Sequence, residues 1–225
     1  MRNSNLELLR IVAIFFVIFH HLLIKGADTC GYVTSYAYNG FIDLIGPFLT
    51  SLVIIGVNLF VLISGYFGIR HLKKGGFRLV TDCIIYGLIS LGIALLLGAK
   101  YSNGLLYSSC SFTRNWYVLH YLFLLLISPI IEQSLVNVSR KKLGYWICLL
   151  TVINIWGGYL LGKVNDNGYN FVNFIYLYYI GRYIRMALES SFWHKVSKYG
   201  IGIWFISSLV LTGGFVLLAE MGKDI

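Results

Sequence analysis

The sequence predicts an all-α fold, a polytopic transmembrane helical bundle of about seven spans, N-in and C-out. Three observations predict it. Of the 225 residues, 58% are hydrophobic and 12% charged, with a mean hydropathy of +0.76. That is more apolar surface than a soluble domain of this size can bury. The apolar residues also collect in runs long enough to cross a hydrocarbon core about 30 Å thick. Finally, Lys and Arg alternate from loop to loop, and 13 of the 18 fall on one predicted side, as cytoplasmic loops require.

The runs follow in order. The first, Leu6–Ile24, is preceded by Ser4-Asn5-Leu6-Glu7, an S-x-x-E capping box with Ser4 as N-cap and Glu7 at N3. It has no small-residue cleavage site, so it reads as a span and not a leader. Pro47–Phe67 is the second, and the basic loop after it holds Arg70, Lys73, Lys74 and Arg78. Leu79–Leu97 carries Ser90, Ala94 and Gly98 at four-residue spacing, a small-residue ladder suited to helix packing. Trp116–Leu135 and Leu143–Leu161 flank Arg140, Lys141 and Lys142. Phe171–Leu188 carries Arg182 and Arg185 near its end, and Lys195 and Lys198 follow before Tyr199–Ala219. The opposite loops are poor in cations: Lys25 with Asp28 and Asp43, then Lys100 and Arg114, then Lys163 with Asp166. Most of the five tryptophans fall near span ends, where aromatic belts lie.

The net charge of +9 is therefore an orientation signal, and a nucleic-acid partner is not needed to explain it. No linker or soluble segment interrupts the pattern, so residues 1–225 read as a single integral membrane domain. Cys30 and Cys110 fall in the first and second outer loops, where an oxidising exterior permits a disulfide; two free thiols is the simpler reading. There is no Cys/His spacing of a metal site, no nucleophile elbow and no phosphate-binding glycine loop.

Ionisable residues inside a span are costly and mark functional sites. Arg10 and His21 lie at the two ends of the first run. Eleven residues on a helix return to within roughly 20° of the start and rise roughly 16 Å, so both occupy one face. Arg10 is also close enough to the membrane surface to snorkel to the headgroups. His20, about 100° round from His21, can face a neighbouring helix or the headgroups. Asn58 and Ser64 on span two are about 120° apart and do not both face one site squarely. Trp116 and His120 lie one turn apart at the start of span four, an interfacial arrangement that also suits a substrate site. His71 and His194 fall in inner loops, and Tyr32, Tyr36 and Tyr38 in the long first outer loop.

The opening Asn5-Leu6-Glu7-Leu8-Leu9-Arg10-Ile11-Val12-Ala13, followed by His20-His21, resembles the start of membrane acyltransferases of the acyltransferase 3 family. Their Arg, ten residues, His signature is matched by Arg10 and His21. Gly56-Val57-Asn58-Leu59-Phe60-Val61-Leu62-Ile63-Ser64-Gly65-Tyr66-Phe67 is similar to the family's second-span motif ending in Ser-Gly-Tyr. Asn115-Trp116-Tyr117-Val118-Leu119-His120-Tyr121-Leu122, with Ser128-Pro129 after it, resembles its aromatic-led span. Asn173-Phe174-Ile175-Tyr176-Leu177-Tyr178-Tyr179-Ile180-Gly181-Arg182-Tyr183 is similar to a later span ending in Tyr-x-x-Gly.

The resemblance implies transfer of an acyl group, acetyl above all, from acyl-CoA to a hydroxyl of a sugar or cell-envelope glycan in a bacterial plasma or inner membrane. Acetyl-CoA is then a donor substrate, and no cofactor is resident. His21 would be general base or transient acyl acceptor, and Arg10 would orient the donor. Arg70, Lys73, Lys74 and Arg78 would meet the CoA phosphates, although orientation alone accounts for them. His20, Asn58, Ser64, Trp116 and His120 are the candidates for substrate contacts. Family members are usually longer, so the resemblance also implies a domain lacking its C-terminal spans. Two other readings stay open: a transporter with Arg10 and His21 along its path, and a non-catalytic remnant that assembles with a second chain.

Overall fold

The computed structural model describes residues 4–26, 41–69, 72–111, 115–161, 168, 170–187, 195 and 197–220, and all regular structure among them is helical. The helices are α1 (Ser4–His21), α2 (Phe41–Val53), α3 (Gly56–Phe67), α4 (Leu72–Leu96), α5 (Asn103–Cys110), α6 (Trp116–Leu135), α7 (Arg140–Ile153), α8 (Phe171–Ala187) and α9 (Gly200–Glu220). Two of them run on into wider π-helical turns, α1 into Leu22–Gly26 and α7 into Asn154–Leu160. Helix occupies every predicted run. Four stretches are long and apolar enough to cross a membrane: Ser4–Ile24, Leu44–Phe67, Lys74–Leu96 and Trp116–Leu135. The other three runs hold α7, α8 and α9, and the described apolar stretch of α9 is shorter, Gly200–Gly214.

The chain divides into two compact units, Met1–Ile63 with Ala187–Ile225, and Ser64–Met186. In the first unit, Ala13 is fully buried where α1 meets α3, and a Cβ on Gly56 would sit 3.0–3.1 Å from Phe16, Val17 and Ala13 atoms. Small residues on both helices allow this approach. α9 lies on α2 through a polar stripe at four-residue spacing. Trp204 Nε1 donates to the Leu52 carbonyl at 3.1 Å, and Thr212 Oγ1 to Ser51 Oγ at 3.4 Å. The Ser208 hydroxyl lies 3.4 Å from the Ser51 carbonyl and 3.0 Å from that of Trp204. Phe16 stacks on Trp204 with centroids 5.6 Å apart, so α1 completes the unit. Trp204 is thus a packing residue.

The second unit is built on α6 and α8. Pro129 lies inside α6 and has no N–H for the Leu125 carbonyl four residues back. The fully buried Ser128 hydroxyl donates to that carbonyl at 2.8 Å. The Ser-Pro pair therefore repairs the hydrogen bond its own proline removes, which matters most where no water can substitute. α3 ends against α8: a Cβ on Gly65 would run into the Tyr178 carbonyl oxygen. α7 joins α8 through Thr151 Oγ1 and Tyr176 Oη, 2.9 Å apart.

Several expectations change. Ser4 is already helical, and the Glu7 carboxylate pairs with Arg10. Gly98 takes no part in packing: its φ is +93° and a Cβ there would meet nothing within 4 Å. It stops α4 instead, with Gly98 N–H donating to Leu95 and Ala99 N–H to Ala94, the two bonds of a Schellman motif. The predicted second outer loop contains a helix, α5, capped by Ser102 Oγ accepting from Leu105 N–H at 3.0 Å. Cys83 and Cys148 are free; Cys30, half of the proposed pair with Cys110, lies outside the described residues.

Gly65→Ala should destabilise the chain by about 1–3 kcal/mol, because the obstacle is backbone. Gly92→Ala, with nothing within 4 Å, should leave the unfolding midpoint unchanged or raise it slightly. Ser128→Ala should cost about 1–3 kcal/mol by orphaning the Leu125 carbonyl. Thermal unfolding of the three variants in one detergent would check this ordering.

Candidate active site

α1 is unbroken from Ser4 to His21, so Arg10 and His21 keep the helical relation their spacing requires. Taking the buried Ala13 as the inward direction, Arg10 lies about 60° and His21 about 80° to the same side. His20 lies about 20° to the other side, nearly in line with Ala13. Burial follows these angles: His20 is half-buried, and His21 is exposed on the flank. His20 therefore lies on the inward side of α1.

Each charged or basic group on this flank is held by its own helix. Arg10 Nη1 donates to Glu7 Oε1 at 2.8 Å, with both side chains 40% exposed. The pair lowers the cost of placing a guanidinium in an apolar run and fixes its direction. His21 Nδ1 lies 2.8 Å from the Val17 carbonyl. A carbonyl only accepts, so Nδ1 carries the proton and the neutral ring's basic nitrogen is Nε2. A base at His21 must work through Nε2.

Ser64, Trp116 and His120 belong to the second unit. Ser64 Oγ and Tyr121 Oη are 2.7 Å apart and join α3 to α6. His120 Nδ1 is 2.6 Å from the Trp116 carbonyl, which again leaves Nε2 as the basic nitrogen. Trp116 and His120 stand against the fully buried Phe174, with centroids 6.1 and 6.2 Å away, and Tyr117 stacks on Tyr121 at 5.6 Å. The structure thus brings Trp116 and His120 together around Phe174, their own centroids 6.4 Å apart. Asn58, six residues before Ser64, lies in the other unit.

Among the predicted phosphate contacts, Lys74 and Arg78 are exposed on α4, one turn apart. Arg78 Nε is 3.6 Å from Asp82, a surface pair. Arg70, the Lys73 side chain, His71, His194, Tyr32, Tyr36 and Tyr38 lie outside the described residues.

A further polar group was not foreseen. Arg182 Nη2 sits 3.0 Å from Glu132 Oε2, and Tyr178 donates its hydroxyl hydrogen to Glu132 Oε1 at 2.5 Å. The same Tyr178 oxygen accepts from Ile69 N–H at 3.1 Å. The available signal was Glu132 itself, an acid inside the fourth apolar run, which calls for a partner. Arg182 gives no such signal, because orientation alone accounts for a cation at that end of the run.

Four helical stretches are long and apolar enough to cross a membrane, and the family match gives the class, a membrane acyltransferase. The family model for the acyltransferase domain of the acyltransferase 3 type matches residues 3–223, and the chain belongs to that family. No curated protein and no solved structure matches it.

Nitrogen chemical shifts of selectively labelled histidines should show the Nδ1–H tautomer for neutral His21 and His120. An Nε2–H signature for His21 would remove the geometric basis for its use as a base.

Proposed function

We propose that the chain transfers an acetyl group from acetyl-CoA to a sugar or envelope-glycan hydroxyl, in a bacterial plasma membrane, with its N-terminus in the cytoplasm. The single observation that carries this reading is the unbroken α1. It keeps an oriented imidazole and a paired guanidinium about 16 Å apart along one flank, within a chain of this family. The donor has the same polarity, with phosphates at one end of a long arm and the thioester at the other.

His21 Nε2 takes the acceptor hydroxyl's proton as its oxygen attacks the thioester carbonyl. The tetrahedral intermediate collapses with release of the CoA thiolate, and the imidazolium returns the proton to that sulfur. The products are the O-acetyl ester and CoA. Arg10 lies too far along the helix to touch the same atom, so its part is to hold the donor, with Glu7 fixing its direction until the donor arrives.

CoA release from acetyl-CoA by the chain in lipid, with and without glycan, tests the reading. Glycan should stimulate turnover, and His21→Ala should lower kcat by roughly 100-fold or more. Arg10→Ala should raise the donor KM more than it lowers kcat. Glycan flux without CoA release would make the chain a transporter instead.

A further inference from the structure

Three consecutive cations, Arg140, Lys141 and Lys142, open α7, and the sequence has no Asp or Glu between Glu132 and Asp166. Three arginines elsewhere are matched by acids: Arg10 by Glu7, Arg78 by Asp82 and Arg182 by Glu132. Among the described residues no carboxylate pairs with the cations of α7. A ring holds Lys142 instead. Its Nζ lies 5.5 Å from the centre of the Trp146 ring, within cation–π range. Trp146 stands edge-on to Tyr179 of α8, with centroids 6.3 Å apart, and the fully buried Leu143 fixes which side of α7 faces inward. All of these residues belong to the second unit, so the ammonium has a defined place on it.

The face of α7 below Lys142 is graded. Tyr145, Trp146, Leu149 and Ile153 follow it at i+3, i+4, i+7 and i+11, which on a helix is one side. Tyr145, Leu149 and Ile153 are exposed on that side. The order is ammonium, aromatic rings, aliphatic side chains. Aromatic rings mark the headgroup level at the ends of spans. From Lys142 to Ile153 the helix rises roughly 16 Å, about the depth of one leaflet of a hydrocarbon core about 30 Å thick. A partner that fits has an anion at the level of the rings and hydrocarbon beneath it. A soluble anion supplies only the first, whereas an anionic phospholipid supplies both. A choline headgroup brings its own cation to the phosphate, so Lys142 favours a lipid of net negative charge.

We infer that Lys142 binds the headgroup phosphate of an anionic phospholipid whose chains lie along Leu149 and Ile153, and that Trp146 is its positioning residue. This stands apart from the acyl-transfer reading above.

The test is thermal unfolding of the full chain in phosphatidylcholine vesicles as phosphatidylglycerol replaces part of the lipid. The wild-type midpoint should rise to a plateau, because a ligand of the folded state stabilises it. Lys142→Gln should raise the phosphatidylglycerol fraction needed for half of that rise about fivefold, as expected for one lysine near an anionic surface. Trp146→Leu should act in the same direction, and Trp146→Tyr should restore most of the effect, since a second ring can hold the ammonium. Lys195→Gln combined with Lys198→Gln removes two exposed charges from the other unit and should leave the curve in place. Each variant is compared with its own midpoint in pure phosphatidylcholine, so a general loss of stability does not imitate the effect. No wild-type rise, an unchanged curve in Lys142→Gln, or an equal shift in the Lys195 and Lys198 variant would overturn the inference. So would an equal rise with inorganic phosphate in pure phosphatidylcholine, which would make this a site for the free anion.

Discussion

The crossing of α3 over α8 at Gly65 is the constraint on which the second unit depends. Backbone meets backbone there, with no side chain to absorb an error, so the two helices have one distance and one register. That register lets Tyr178 reach both Ile69 and Glu132, and lets Arg185 reach the last carbonyls of α3. Ser64, one residue before the crossing, is thereby delivered to Tyr121 on α6. In a lipid environment, where helices gain little from hiding apolar surface from each other, close approach and polar pairing are what select one packing among many.

The family motifs acquire separate physical reasons on this view. Ser-Gly-Tyr at residues 64–66 is a hydroxyl link, a close crossing and a carbonyl given to Arg185. Ser-Pro at 128–129 is a proline with its repair. The stretch through Tyr178 and Arg182 supplies the polar side of the crossing. None of these three touches a reacting atom in the proposed chemistry. The Arg10–His21 face is different in kind, since a carboxylate and a carbonyl of its own helix already orient it.

Much of the fold was legible in the sequence because membrane spans obey length and hydropathy rules that act residue by residue. Trp116–Leu135 was placed to its end residues for that reason. The Arg10–His21 relation was legible too, because it requires only an unbroken helix. What stayed hidden depends on which helix neighbours which. Gly98 shares its four-residue spacing with packing glycines, and only its φ reveals a helix stop. Neither the spacing nor the neighbours of Gly65 and Gly92 say that one is a crossing and the other is open. Glu132 announced that it needed a partner without naming it. The choice between lipid-facing and helix-facing sides of His20 likewise required Ala13 and Gly56 to be seen in contact.

The hydrogen bonds between α2 and α9 carry a consequence for biosynthesis. Ser51 and Ser208 are separated by 157 positions in the chain, and every residue of the second unit is made between them. The second unit is contiguous and is complete once α8 has left the ribosome, whereas the first must wait for α9. Until then the indole partner of Phe16 does not yet exist, and the Leu52 carbonyl lacks its donor. α1, which bears Arg10 and His21, therefore gains its final neighbours last. The helix that carries the proposed chemistry is packed in full only when synthesis of the helical region is nearly over.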